Sequence, residues 1–255
     1  MMTHVVISGA SRGLGAALAR AWAAPGVTLG LLGRDGAALR GTAAACERAG
    51  ANIALSLCDM RDGPALAAQL HAWDDGLAID LLVANAGITG GTRPDGGLEG
   101  LASVTDVLAV NLQGAANLVE PMLPRFIARR AGHVVLIASV AAFRGLPDSP
   151  AYCASKAGLW AYGESLRPYL GPRGVQLTNV APGFFESAMS ARFSGDHPLQ
   201  LTVDAAASRI ARAVAAGRGR CIFPRRLGYT LRLLELLPAP LADRAARLFR
   251  FTISP

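Results

Sequence analysis

Short apolar blocks alternate along this chain with longer stretches of helical composition. The blocks at 4–8, 27–32, 52–58, 80–84, 132–139 and 175–180 are rich in valine, isoleucine and leucine and read as buried strands. Between them, the alanine-rich run after Gly15 and residues 35–50, 62–73 and 150–167 read as helices. Two further helical stretches lead to about Arg130, and Pro121 and Pro124 predict a kink or restart in the second. Regular alternation of strand and helix predicts an α/β fold: a doubly wound, Rossmann-type parallel sheet of about seven strands with helices on both faces. Ligands of such a sheet gather beyond the carboxyl ends of its strands. After Pro224 the pattern changes to two short amphipathic helices, 229–237 and 241–251, broken by Pro238 and Pro240. The expected organisation is a domain over 1–224 and a helical extension over 225–255, packed on it or at an interface.

Composition sharpens this picture. With 52% hydrophobic and 17% charged residues, the 255-residue chain has enough apolar side chains for a sizeable core. No run approaches the length of a membrane span and residues 1–4 lead directly into a strand, so the expected location is the cytoplasm. The formal charge is +7, but eight arginines against Glu235 and Asp243 put +6 of it between Arg218 and Pro255. The charge therefore belongs to the tail, and no general nucleic-acid face is implied. Leucines and arginines in that tail suit a cover for the protein's own surface or a dimer contact, with a peripheral membrane contact as the competing reading. Cys46, Cys58, Cys153 and Cys221 are scattered as reduced thiols would be, and no metal site is expected. His4, His71, His133 and His197 fall in a strand, a helix, a turn and a loop, none beside a partner that suggests catalysis.

The candidate chemistry centres on Lys156, the only lysine among 25 basic residues. An ammonium is a compact point charge, and no guanidinium fills the same space. Lys156 stands four residues after Tyr152, one turn along a helix for which Ser149 and Pro150 read as N-cap and first residue. The ammonium and the helix dipole would both favour a phenolate, making Tyr152 a candidate acid-base group. At the other end of the chain, Gly9, Gly13 and Gly15 lie between a strand and a helix, the context in which a glycine turn cradles a pyrophosphate. The second strand ends on Gly33-Arg34 with no carboxylate there, and Arg34 with Arg12 would suit a 2′-phosphate. This predicts NADP(H) over NAD(H).

Taken together, Ser8-Gly9-x3-Gly13-x-Gly15, Asp59, Asn85-Ala86-Gly87, Asn111, Ser139, Tyr152-x3-Lys156 and Pro182-Gly183 resemble, in order and spacing, the short-chain dehydrogenase/reductase family in its single-domain form. The resemblance covers residues 3 to about 223. Ser8 and Ser187 stand where the family often has threonine, and both keep the hydroxyl. The resemblance implies hydride transfer between a nicotinamide and a carbonyl or alcohol carbon. It gives Tyr152 the proton transfer, Lys156 the tuning of Tyr152 and the nicotinamide ribose, Ser139 the substrate oxygen, and Asn111 a relay water. It further implies cofactor contacts from Gly9, Ser11, Arg12, Gly13, Leu14, Gly15, Arg34, Asp59, Met60, Asn85, Ala86, Gly87, Pro182, Gly183 and Ser187. Relatives commonly form homodimers or homotetramers, and the tail puts the tetramer contact in doubt.

Phe184, Phe185, Met189 and Phe193 occupy the place of the family's mobile lid. With Phe143 and Leu146 they would line an apolar pocket for a hydrophobic carbonyl compound. Two other functions compete: a non-enzymatic NADP(H)-binding sensor on the same fold, and an epimerase or dehydratase of the family's extended branch. The intact Asn111, Ser139, Tyr152 and Lys156 set opposes the first. The lack of a further substrate domain after residue 223 opposes the second.

Overall fold

A computed structural model of the chain describes residues 2–92, 97–186, 190, 193–194, 199–246 and 252–253. Seven strands form one parallel sheet. In chain order they are β1 (His4–Ser8), β2 (Thr28–Gly33), β3 (Asn52–Leu57), β4 (Leu81–Ala84), β5 (His133–Ile137), β6 (Gln176–Pro182) and, after a two-residue β7 (Phe193–Ser194), β8 (Arg220–Phe223). Their spatial order is β3-β2-β1-β4-β5-β6-β8. The topology reverses direction between β1 and β4, the crevice where such sheets bind ligands. A separate antiparallel pair joins β7 to β9 (Thr252–Ile253).

Parallel strands buried on both faces need apolar side chains at every position, and β1, β4 and β5 are buried throughout. Period-two alternation divides them between two cores. Val5, Ile7, Leu29, Leu31, Val135 and Val180 face α1 (Gly13–Trp22), α2 (Gly36–Glu47) and α8 (Val203–Ala215). Val6, Leu32, Leu82, Val134, Leu136 and Leu177 face α3 (Gly63–Gly76), α5 (Gly114–Val119), α6 (Leu123–Ala128) and α7 (Pro150–Leu170).

Several boundaries differ from the sequence reading for local reasons. Pro121 and Pro124 do restart the chain, through a 3₁₀ turn at Glu120–Met122 and then α6, each proline near an element's start where its missing N–H is harmless. α4 (Leu101–Leu108) passes into a π-turn at Ala109–Gln113, which carries Asn111. α7 continues past the expected end and through Pro168 to Leu170. His133 opens β5 instead of lying in a turn; it is buried, its Nε2 2.8 Å from Thr178 Oγ1, and burial holds it down to about 4.

The first helix of the extension, α9 (Arg225–Leu234), begins and ends earlier than the expected 229–237, and α10 (Ala239–Ala246) follows, with Pro240 in its first turn where it does not break the helix. Leu231 is buried with Leu227 and Leu234 against Val140, Phe143, Trp160 and Ile222. The remainder of the expected second helix lies outside the described residues. No helix among the described residues is long and apolar enough to cross a membrane.

Candidate active site

Beyond the carboxyl ends of the strands lies a cleft of about 790 Å³. Its phosphate end is shaped by backbone. Gly9 and Gly13 take φ of +66° and +56°, which fold the chain back from β1 into α1. At Gly15 an added Cβ would stand 2.2 Å from the Gly9 carbonyl oxygen and 2.6 Å from Asn85 Nδ2, so this glycine is a packing residue and does not line the cleft. Asn85 Nδ2 donates to the Ser8 and Gly9 carbonyls at 2.9 and 3.3 Å. The Ser8 hydroxyl accepts from Asn85 and Ala86 N–H, both at 3.1 Å. The glycine turn is thereby fastened to the end of β4.

The N-terminus of α1 has no acidic residue in its first turn, and Arg12 at the N-cap makes no side-chain cap. Its first-turn amides and positive dipole face the cleft, which Arg12 also lines. That donor set fits a pyrophosphate.

Farther along, Arg34 follows β2 and is 59% exposed. Its Nη1 is 3.8 Å from Asp59 Oδ2, but Asp59 is held mainly by Arg61, whose Nη2, backbone N–H and Nε approach within 2.7 to 3.0 Å. These bonds lower the Asp59 carboxyl to about 2. Asp35 also lines this end of the cleft, which the sequence reading did not anticipate. Its carboxylate caps α2 by accepting from Ala38 N–H at 3.1 Å.

At the inner end β5, β6 and α7 bring Ser139, Pro182, Gly183, Tyr152 and Lys156 together. Ser139 sits two residues beyond β5, where its hydroxyl accepts from Ala141 N–H at 3.1 Å and lies against Tyr152. Lys156 is buried, donates to the Ile137 carbonyl at 2.9 Å and places Nζ 5.7 Å from the Tyr152 ring centre.

The expected depression of Tyr152 is not found in this geometry. Burial pushes the phenol up to about 12, offset only partly by the Ser139 hydrogen bond, and burial pulls Lys156 down to about 8. Desolvation is the larger influence on each group, disfavouring the phenolate at Tyr152 and the ammonium at Lys156.

Of the other nominated residues, Ser11, Leu14, Met60, Ala86 and Gly87 line the cleft as well. Asn111 does not. It is fully buried behind the cleft, its Oδ1 accepting from Ile88 N–H at 2.7 Å and its Nδ2 donating to the Ile88 carbonyl at 2.9 Å and to Ser155 Oγ at 3.0 Å. Ser187 and Met189 lie outside the described residues. Phe185 reaches the cleft, whereas Phe143 turns away from it to meet Trp160 edge-on at 4.9 Å.

Two supporting residues went unread in the sequence. Ser149 occupies the N-cap of α7 without capping it. Glu99 does this instead, Oε2 accepting from Ala151 N–H at 3.2 Å across 52 residues. Ser155 ties α7 to Asn111 while donating to the Tyr152 carbonyl at 2.7 Å.

Fold and cleft are those of the doubly wound class, with a cradle at the topological switch point that fits a dinucleotide. The model of the short chain dehydrogenase family matches residues 3–197, and the chain belongs to that family. It is 34% identical over 246 residues, 96% of each chain, to an uncharacterized oxidoreductase of Myxococcus xanthus. It is 29% identical to a 3-oxoacyl-acyl-carrier-protein reductase of Chlamydia trachomatis, over 72% of this chain and 75% of that one. Among solved structures, a metagenomic short-chain oxidoreductase in complex with NADP is 29% identical with a TM-score of 0.71, covering 84% of this chain and 90% of that one. Some solved neighbours carry NAD and others NADP or NADPH, so kinship leaves that choice open.

Proposed function

We propose that the protein is an NADP(H)-dependent reductase acting on the carbonyl group of a hydrophobic small molecule, with the alcohol as product. The observation that carries this is the meeting of Ser139, Tyr152 and Lys156 at the inner end of a cleft whose outer end is lined by Arg12 and Arg34. The nicotinamide, when bound, supplies the hydride to the carbonyl carbon. Gly9, Gly13 and the first turn of α1 would hold its pyrophosphate. Arg12 and Arg34 would hold a 2′-phosphate, since the two carboxylates nearby are engaged, Asp59 by Arg61 and Asp35 by the start of α2.

Desolvation pushes the phenol up to about 12, so Tyr152 holds its proton at neutral pH, the form that reduction of a carbonyl uses. Tyr152 gives its proton to the substrate oxygen and Ser139 orients that oxygen. Lys156, charged below about pH 8, is the cation nearest the tyrosine left behind. Asn111 and Ser155 fix α7 in place. Phe185 supplies an apolar wall. The reading includes action in the cytoplasm, which the free thiols suit, and a homo-oligomeric state.

The test is NADPH oxidation, followed by absorbance, against hydrophobic aldehydes, ketones and 3-oxoacyl thioesters, with Tyr152→Phe measured beside the wild type. Turnover that the substitution removes is the expected result. Tight NADPH binding without turnover on any of them would favour the sensor reading. A kcat/KM clearly higher with NADH than with NADPH would overturn the cofactor assignment.

A further inference from the structure

The mechanism above makes no use of a second cleft, about 700 Å³, behind the segment that follows Ser139. One wall is residues 141–147, a second is the start of α7 with Cys153, and the third is Glu235 and Asp243 from the C-terminal extension. Arg144 crosses it. Its Nη1 is 3.4 Å from Glu235 Oε1 and its Nη2 2.6 Å from Asp243 Oδ1, while its Nε is buried with no hydrogen-bond partner among the described residues. One residue earlier, Phe143 is gripped from the same side. The Arg232 guanidinium of α9 lies 4.5 Å from its ring centre and 5.3 Å from that of Trp160. Gly228 lets α9 approach closely, since an added Cβ would meet Ile222 Cγ2 at 2.4 Å and Phe143 Cε2 at 3.4 Å.

We infer that the C-terminal extension is a latch that sets the position of the Ser139 segment, with Arg144, Glu235 and Asp243 as its positioning residues. This rests on the oxidoreductase reading above. Three points lead to it. Glu235 and Asp243 are 52% and 62% exposed, so each pair is weak as a source of stability. An unpartnered buried N–H on the same guanidinium is unfavourable. What the arrangement does is hold in register a segment that has no sheet pairing of its own and carries Ser139 at its head and Phe143 and Arg144 within it. A guanidinium fork can span two carboxylates, here one just beyond the end of α9 and one on α10, which a lysine cannot do in the same way.

The test compares the full-length wild type with the Glu235→Gln/Asp243→Asn double variant and with Arg144→Lys. The double variant is expected to raise KM for the carbonyl substrate about tenfold, with KM for NADPH unchanged and Tm lowered by no more than about 2 °C. Arg144→Lys should fall between. Amide hydrogen exchange over 139–148 should be faster in the double variant, a readout that needs no substrate. Unchanged exchange there overturns the latch, whatever the kinetics. Faster exchange with unchanged carbonyl KM overturns its bearing on the reaction. Faster exchange in a protein whose wild type turns over no carbonyl would sink the oxidoreductase reading and leave the latch standing.

Discussion

The two ends of the cleft are built from different materials. At the phosphate end the working surface is backbone, positive-φ glycines and free helix amides, supported from behind by a Gly15 with no room for a methyl group. At the chemical end it is side chains on α7 and just beyond β5, each held by a partner from elsewhere in the fold: Ser155 by Asn111, the first turn of α7 by Glu99, the Ser139 segment by the extension through Arg144. A backbone cradle accepts almost no change in volume. A side-chain site can lose a partner and keep its shape in part, so the two ends should fail in different ways.

The largest effect should come from changing the chemistry and leaving the cradle alone. Lys156→Arg puts a guanidinium into a buried site fitted to an ammonium 2.9 Å from the Ile137 carbonyl. We expect kcat to fall by about 10²–10⁴ while NADPH affinity, by fluorescence titration, moves only a few-fold. Wild-type-like turnover would remove Lys156 from the mechanism. Gly15→Ala attacks the other end. A Cβ 2.2 Å from the Gly9 carbonyl must displace the turn, and NADPH affinity should weaken about a hundredfold. If binding survives intact, the cradle is more plastic than its geometry implies.

Next in size is a stability effect with the opposite sign to activity. Lys156 is pulled from 10.5 to about 8 by burial, so its charge is unfavourable to folding by roughly 3 kcal/mol below pH 8. The unfolded chain binds this proton more tightly than the native one between pH 8 and 10.5. The penalty is therefore full below pH 8, fades as pH rises through that window and is gone above it. Lys156→Met should raise Tm by about 5 °C at pH 7 while abolishing turnover, and the gain should shrink towards pH 10.5. A lower Tm at pH 7 would mean that the hydrogen bond to Ile137 outweighs the desolvation. The smallest effect belongs to Glu99→Gln, which keeps an acceptor for Ala151 N–H and loses the charge at the helix start. It should cost about 0.3–1 kcal/mol, a Tm shift of about 1–4 °C, with kcat little changed.

The same contrast explains what could be read in advance. Glycine turns, strand blocks and Tyr152-x3-Lys156 are local, and each residue type announces the backbone shape or spacing it serves. The sheet and most of the nominated residues that line the cleft were legible for that reason, whereas Asp35 was not, and Asn111 and Gly15 lie behind the lining. Glu99 carries no such mark, being one acid in a glycine-rich loop whose role appears only when α7 is laid beside it. Ser149 gave the local signal for a cap that Glu99 makes instead. Phe143 looked like a pocket residue because it is apolar and close to Ser139 in sequence, yet the extension draws it to Trp160 and Arg232. For the Tyr152 phenol the sequence shows the neighbouring ammonium and not the desolvation, which in this geometry pushes the group up.

Because Lys156 is the only lysine, it is also the only side-chain amine that acylating reagents can label. It is 4% exposed, and with a value near 8 about a tenth of it is unprotonated and nucleophilic at pH 7. Labelling of one residue thus becomes a clock for the opening of the cleft, free of the background that surface lysines impose on most proteins. Any ligand that seals the inner end should slow that clock and leave the half-buried thiol of Cys221, which does not line the cleft, reacting as before.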